Sequence, residues 1–113
     1  MYAVYKFLPR GSACRATVDP ADGRHGLPRD CVRVGIAVVS QESAGGRATR
    51  HTLVIYDTDA ADKGYPPNTL GGRQPAAKTP YCGTVIVAAI VENEGTETFV
   101  DVTADDLEHA GCR

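Results

Sequence analysis

Residues 81–91 read Tyr81-Cys82-Gly83-Thr84-Val85-Ile86-Val87-Ala88-Ala89-Ile90-Val91. From Thr84 onward the stretch has no charge, and Val85, Ile86, Val87, Ile90 and Val91 are β-branched. Turn formers mark its limits, Pro80 and Gly83 at the start and Asn93 and Gly95 after the end. A strand-length apolar run between such signals reads as a strand covered on both faces. It places the chain in the mainly β class, with an antiparallel barrel or sandwich built around this strand.

The segments on either side fit that frame. Cys31–Val39 alternates, with Val32, Val34, Ile36 and Val38 on one face. Ser40–Arg47 (SQESAGGR) reads as a hairpin loop, and Ala48–Tyr56 as the returning strand. Beyond the central run, Glu92-Asn93-Glu94-Gly95 makes a tight turn into a last strand, Thr96–Val102. Tyr2–Leu8 is a first strand, and a short one is expected near Cys14–Val18. Thr103 is placed to cap a short helix that starts with Asp105 and Asp106 and stops at Gly111. The expectation is about five strands, long loops at 9–30 and 57–80, and one short C-terminal helix.

The ending GTVIVAAIVENEGTETFVDVTADDLEHA (residues 83–110) resembles SH3-like small barrels, in which a strand pair is followed by a short helical turn. The resemblance implies a small closed barrel.

At 113 residues the chain has the size of one domain, 1–113, and its composition is that of an ordinary globular protein. With no Trp and two Phe, the core must consist mostly of Val, Ile, Leu and Ala. Nine Arg against three Lys, with abundant Ala and Gly, suggest a G- and C-rich coding sequence of bacterial or bacteriophage kind. Met1-Tyr-Ala-Val-Tyr-Lys has no export leader, and no apolar run approaches the ~20 residues of a membrane span. The expected location is cytoplasmic, or within a virus particle assembled there. Cys14, Cys31, Cys82 and Cys112 are then expected as reduced thiols.

Charge is distributed unevenly. Residues 1–50 carry eight Lys/Arg against four Asp/Glu, and residues 81–113 carry one Arg against seven acids. A basic set (Arg10, Arg15, Arg24, Arg29) and an acidic set (Glu92, Glu94, Asp105, Asp106) suggest two opposed surfaces that favour head-to-tail contacts. Nucleic acid fits the basic loop poorly, because Asp19, Asp22 and Asp30 interrupt it.

No chemistry-bearing motif stands out. The cysteines lack paired metal-ligand spacing, so no metal or cofactor is expected. Asp57, Asp59 and Asp62 (DTDAADKG) open like a calcium loop but lack the closing acid, and they read as turn formers. There is no phosphate loop and no nucleophile elbow.

The loop at 57–80 is the feature with functional character, since structureless loops longer than ~12–15 residues are uncommon in compact domains. Tyr65, Leu70 and Arg73 are typical interface anchors, and Pro66-Pro67 lowers the ordering cost of binding. The expected function is a non-catalytic interaction or assembly protein, such as a bacteriophage particle component or an inhibitor of a host complex. It would dock through this loop and its charged surfaces onto protein, itself or another, as a homo-oligomer or larger assembly. The alternative is a small-molecule-binding or enzymatic barrel. Its pocket would be capped by the same loop, with Tyr65, Arg73, His51 or Asp57 as polar contacts.

Overall fold

A computed structural model of the chain describes residues 1–9, 12–69 and 81–110. Among the described residues there are six strands and one helix. They are β1 (Tyr2–Phe7), β2 (Ala13–Val18), β3 (Val34–Gly45), β4 (Ala48–Asp57), β5 (Val85–Asn93), β6 (Thr96–Val100) and α1 (Ala104–His109). All pairings are antiparallel, and the sheet runs in the order β2-β1-β5-β4-β3.

The uncharged run becomes β5, and β5 is the hub. β4 pairs with it along nearly its whole length, from Ala48↔Asn93 to Tyr56↔Val85. Its other edge is shared: β1 takes Val85–Val87, and β6 takes Ala89–Asn93. Among the described residues, β2 and β3 each pair with one neighbour only. The sheet is therefore open, which corrects the closed barrel that the SH3-like ending implies. The strand expected near Cys14–Val18 is present as β2 and forms an edge of the sheet.

Two further expectations change. The loop expected at 40–47 is mostly strand, because the ladder with β4 continues through Ser40↔Thr52, Glu42↔Arg50 and Gly45↔Ala48. The strand expected from Cys31 starts only at Val34, leaving Val32 exposed. The turn after β5 is as tight as expected. Glu94 and Gly95 both have positive φ (52° and 84°), the backbone that a two-residue hairpin joint needs.

A strand buried on both faces needs two covers. On the first face Tyr2, Val4, Leu53, Ile55, Ile86, Ala88 and Ile90 pack beneath Leu27 and Cys31 of the 19–33 segment. On the second, Phe7, Val54, Val85 and Val87 pack against Tyr81, Val102 and Ala110, with Leu107 of α1 alongside. The cover of the first face is incomplete over β3. Ile36 and Val38 share that face with Ile55 and Leu53, their opposite numbers in β4, yet remain 49% and 53% exposed.

This asymmetry gives a direct test. Ile55→Ala should cost about 2–5 kcal/mol, the usual loss for emptying a packed isoleucine site. Ile36→Ala, one strand away on the same face, should cost no more than about 0.5 kcal/mol in the monomer, as exposed substitutions do. Urea unfolding of the two variants at low protein concentration would compare them.

Candidate docking site

The segment after β4 folds from its own local rules. Asp57 Oδ1 accepts from the amide of Asp59 (2.9 Å), turning the chain as it leaves the sheet. One helix-like turn follows, with Lys63 N donating to Asp59 O and Tyr65 N to Ala60 O. Gly64 closes it in the left-handed region (φ 82°), with its amide on Ala61 O. The sequence reading of Asp57 as a turn former is the one the geometry supports.

The chain then passes over the end of the sheet and is clamped there. Asn68 is fully buried. Its side-chain amide donates to Phe7 O and Gly83 O, both at 2.8 Å, and its backbone amide donates to Tyr81 O at 2.6 Å. Gly83 N returns a bond to Pro66 O (2.9 Å), and Pro67 pairs with Cys82 in an isolated bridge. Tyr65, Pro66 and Pro67 are thereby held in an exposed tip whose base is bonded to β1 and to the approach to β5.

A second brace ties the tip to the 19–33 segment. The Tyr65 hydroxyl donates to the Asp30 carboxylate, and Lys63 Nζ donates to Asp57 Oδ2 (2.7 Å) and to Asp30 O. The bond to Asp30 pushes the Tyr65 phenol above its ordinary value, with burial adding to it. Burial alone would raise the Asp57 carboxyl, but the Lys63 ammonium and the Asp59 amide hold it below the usual range. Between the two segments lies a cleft of about 150 Å³ lined by Pro9, Pro28, Asp30, Asp57, Ala60, Tyr65, Gly83 and Thr84.

The charged candidates are spread out. Arg15 lies on β2 with its guanidinium 5.9 Å from the centre of the Tyr5 ring. Arg24 donates to Cys31 O, and Arg29 is exposed on the same 19–33 segment. Arg33 of that segment forms a two-pronged pair with Asp59, close to Asp30 and Asp57, so the segment is not a purely basic pole. At the other end of the sheet Glu94 pairs with Arg47 across the two hairpin tips (2.8 Å). Glu92 stands opposite Glu97 and 3.9 Å from His51 Nε2. Asp105 is exposed on α1. Arg10, Leu70, Arg73 and Cys112 lie outside the described residues.

Asp106 corrects the sequence expectation. It is not a surface acid but an interior one, 1% exposed. It closes the capping box with Thr103, accepting from the Thr103 amide (2.7 Å) and hydroxyl (3.0 Å). It also accepts two bonds from Arg50 (3.1 and 2.7 Å) and one from Thr52 (3.1 Å) on β4. In the sequence it resembles its neighbour Asp105; only the third position of the helix turns it inward.

Of the remaining candidates, Cys31 is buried and Cys14 exposed, both as free thiols. His51 sits on β4, facing Glu92 at the hairpin end and away from the cleft. Among the described residues no group of three His, Cys, Asp or Glu side chains is placed to hold a metal ion, and no helix is long and apolar enough to cross a membrane. Sequence reasoning names Tyr65, Pro66 and Pro67 and misses the residues that hold them in place, Asn68, Lys63 and Asp30. An Asn in a Pro/Gly-rich loop reads as a turn former, and nothing local marks it for burial.

Fold and site together define a small open-sheet β-domain that presents a braced Tyr-Pro-Pro tip. Comparison of the chain with protein-family models, with curated proteins and with solved structures returned no match.

Asn68→Ala would leave two buried carbonyls without that donor and should cost about 1–3 kcal/mol, with faster proteolysis at 64–69 than at the hairpin tips. Asp106 predicts a pH response. Burial raises its carboxyl, but Arg50 and Thr103 outweigh that and hold it below the ordinary range. As pH falls below about 4 the unfolded chain takes up this proton first, so the stability contributed by the pair is present above that pH and lost on descending through the folded value. Urea midpoints of the wild type should therefore fall more steeply towards acid than those of Asp106→Asn. At neutral pH Asp106→Ala should cost about 3–5 kcal/mol.

Proposed function

We propose that the protein is a non-catalytic interaction module that docks onto a protein partner through the Tyr65-Pro66-Pro67 tip. The observation that carries this is the bracing: exposed residues of interface type stand on a base fixed by Asn68, Lys63 and Asp30. A loop already ordered before binding loses little entropy on docking. Tyr brings contact area and a hydroxyl, and the two prolines bring stiffness. An assembly component or a blocker of another complex both use such a tip.

The cleft favours a second reading. Its walls are largely apolar (Pro9, Pro28, Ala60), while Asp30, Asp57 and Tyr65 supply polar groups, the mix that small-ligand sites use. Those polar groups are already bonded to one another and to Lys63, which favours the docking reading over a ligand site.

The test is capture with the immobilised protein from an extract of the cells in which it is made, followed by affinity measurement on the recovered partner. Tyr65→Ala should weaken binding by about 30-fold or more, as loss of an interface anchor does, while circular dichroism stays unchanged. Equal binding by wild type and variant would exclude the tip as the docking site.

A further inference from the structure

The longest strand of the sheet lies at its edge. β3 runs for twelve residues, and among the described residues its ladder partner is β4 alone. The side facing away from β4 therefore offers a row of backbone donors and acceptors. Edges of this kind are normally blunted by shortness or charge. β2, another edge, is short and has Arg15 in it. In β3 the stretch Val34–Val38 has no charge at all, and Ile36 and Val38 are about half exposed on the incompletely covered face.

We propose that β3 pairs antiparallel with β3 of a second copy, about a two-fold axis at Ala37, extending the sheet across two molecules. The side-chain pattern is self-complementary in that register and in no obvious other. Antiparallel pairing about Ala37 sets Ile36 opposite Val38 of the copy, and the reverse, so the exposed apolar side chains cover each other. The ladder with β4 shifts register between Val38 and Ser40, so one residue there is extra to the pairing. Counting past it brings Arg33 opposite Glu42 of the copy, again twice. Both reach solvent: the Arg33 side chain is 74% exposed beyond its pair with Asp59, and that of Glu42 is 47% exposed, 3.8 Å from His109 Nε2 of α1. Apolar pairs at the centre and opposite charges at both ends select this register and orientation. Centring on Val38 instead would set Gly35 against Glu42 and leave Arg33 with no opposite charge.

The surface shares no residue with the Tyr65–Pro67 tip. The inference goes beyond the docking reading by naming a second copy as the partner of a different surface. The full-length protein tests it by sedimentation velocity over a range of concentrations. A species of twice 12.0 kDa should form. Ile36→Lys with Val38→Lys should raise the dissociation constant at least about tenfold, with the far-ultraviolet spectrum unchanged, because both side chains are exposed in the monomer. A cysteine at the axis gives the register. Directly opposed residues in such a ladder have Cα atoms about 4.5–5.5 Å apart, within disulfide reach. In a Cys14→Ser, Cys112→Ser background, Ala37→Cys should yield a covalent homodimer on mild oxidation, and Thr49→Cys should not.

A wild type still monomeric at about 0.1 mM overturns the proposal, as does a dimer indifferent to the two lysines or one that Ala37→Cys fails to link. Tyr65→Ala separates the two claims. It should leave the dimer intact while weakening partner capture. A monomer that still captures its partner through Tyr65 refutes the β3 pairing alone, and a dimer whose partner ignores Tyr65 refutes the tip alone.

Discussion

Burial of β5 on both faces is the constraint from which the rest follows. Six consecutive residues, Val85 to Ile90, are almost entirely removed from water. An open single sheet covers neither face by itself, so both faces need material from outside the sheet. The chain supplies it from what reads as loop. The 19–33 segment delivers Leu27 and Cys31 to one face, and Tyr81, Val102 and α1 come down on the other. The length of these excursions is therefore structural before it is functional, since an apolar central strand leaves the connections to act as covers.

Apolar contact alone would let such covers slide, and buried polar groups fix where each one sits. Asp106 accepts from Thr103 within α1 and from Arg50 and Thr52 in β4, which locks one helix position against one strand position. Asn68 does the same between the tip, β1 and the approach to β5, and Lys63 on Asp57 between the tip and the end of β4. A displaced cover would leave these groups buried and unpaired, at a cost several times the net worth of the bonds themselves. Where the cover ends, over Ile36 and Val38, no such group appears, and the sheet meets solvent with apolar side chains.

Most of the strand framework was legible because it depends on local pattern. The β-branched run at 85–91, the alternation from Val34, and the signals at Thr103 and Gly95 each work within a few residues. What was not legible depends on distance in space. Asp105 and Asp106 look alike in sequence, and only the helix phase and Arg50, far away in the chain, make one interior. Val34, Ile36 and Val38 alternate as a buried face should, but alternation reports that side chains share a face, not that anything covers it. Asn68 had no signal at all. Of the two expected forms, barrel or sandwich, the barrel rests on the cadence of the last strands, whereas closure is decided by whether the outermost strands meet, which β2 and β3 do not.

The functional account turns on a loop that belongs to the folded framework. A swinging Tyr65-Pro66-Pro67 segment would have to be ordered at each encounter, while a braced one presents a ready surface at the end of the sheet. Native-state amide hydrogen exchange separates these cases through two reporters, the amides of Asn68 and Gly83, which donate to Tyr81 O and Pro66 O. The account predicts that both exchange as slowly as the amides of β5, opening only with the sheet. Exchange of both at the rate of an unstructured peptide, beside a protected β5, would show the tip to be loose and would contradict the claim that the fold builds it for docking.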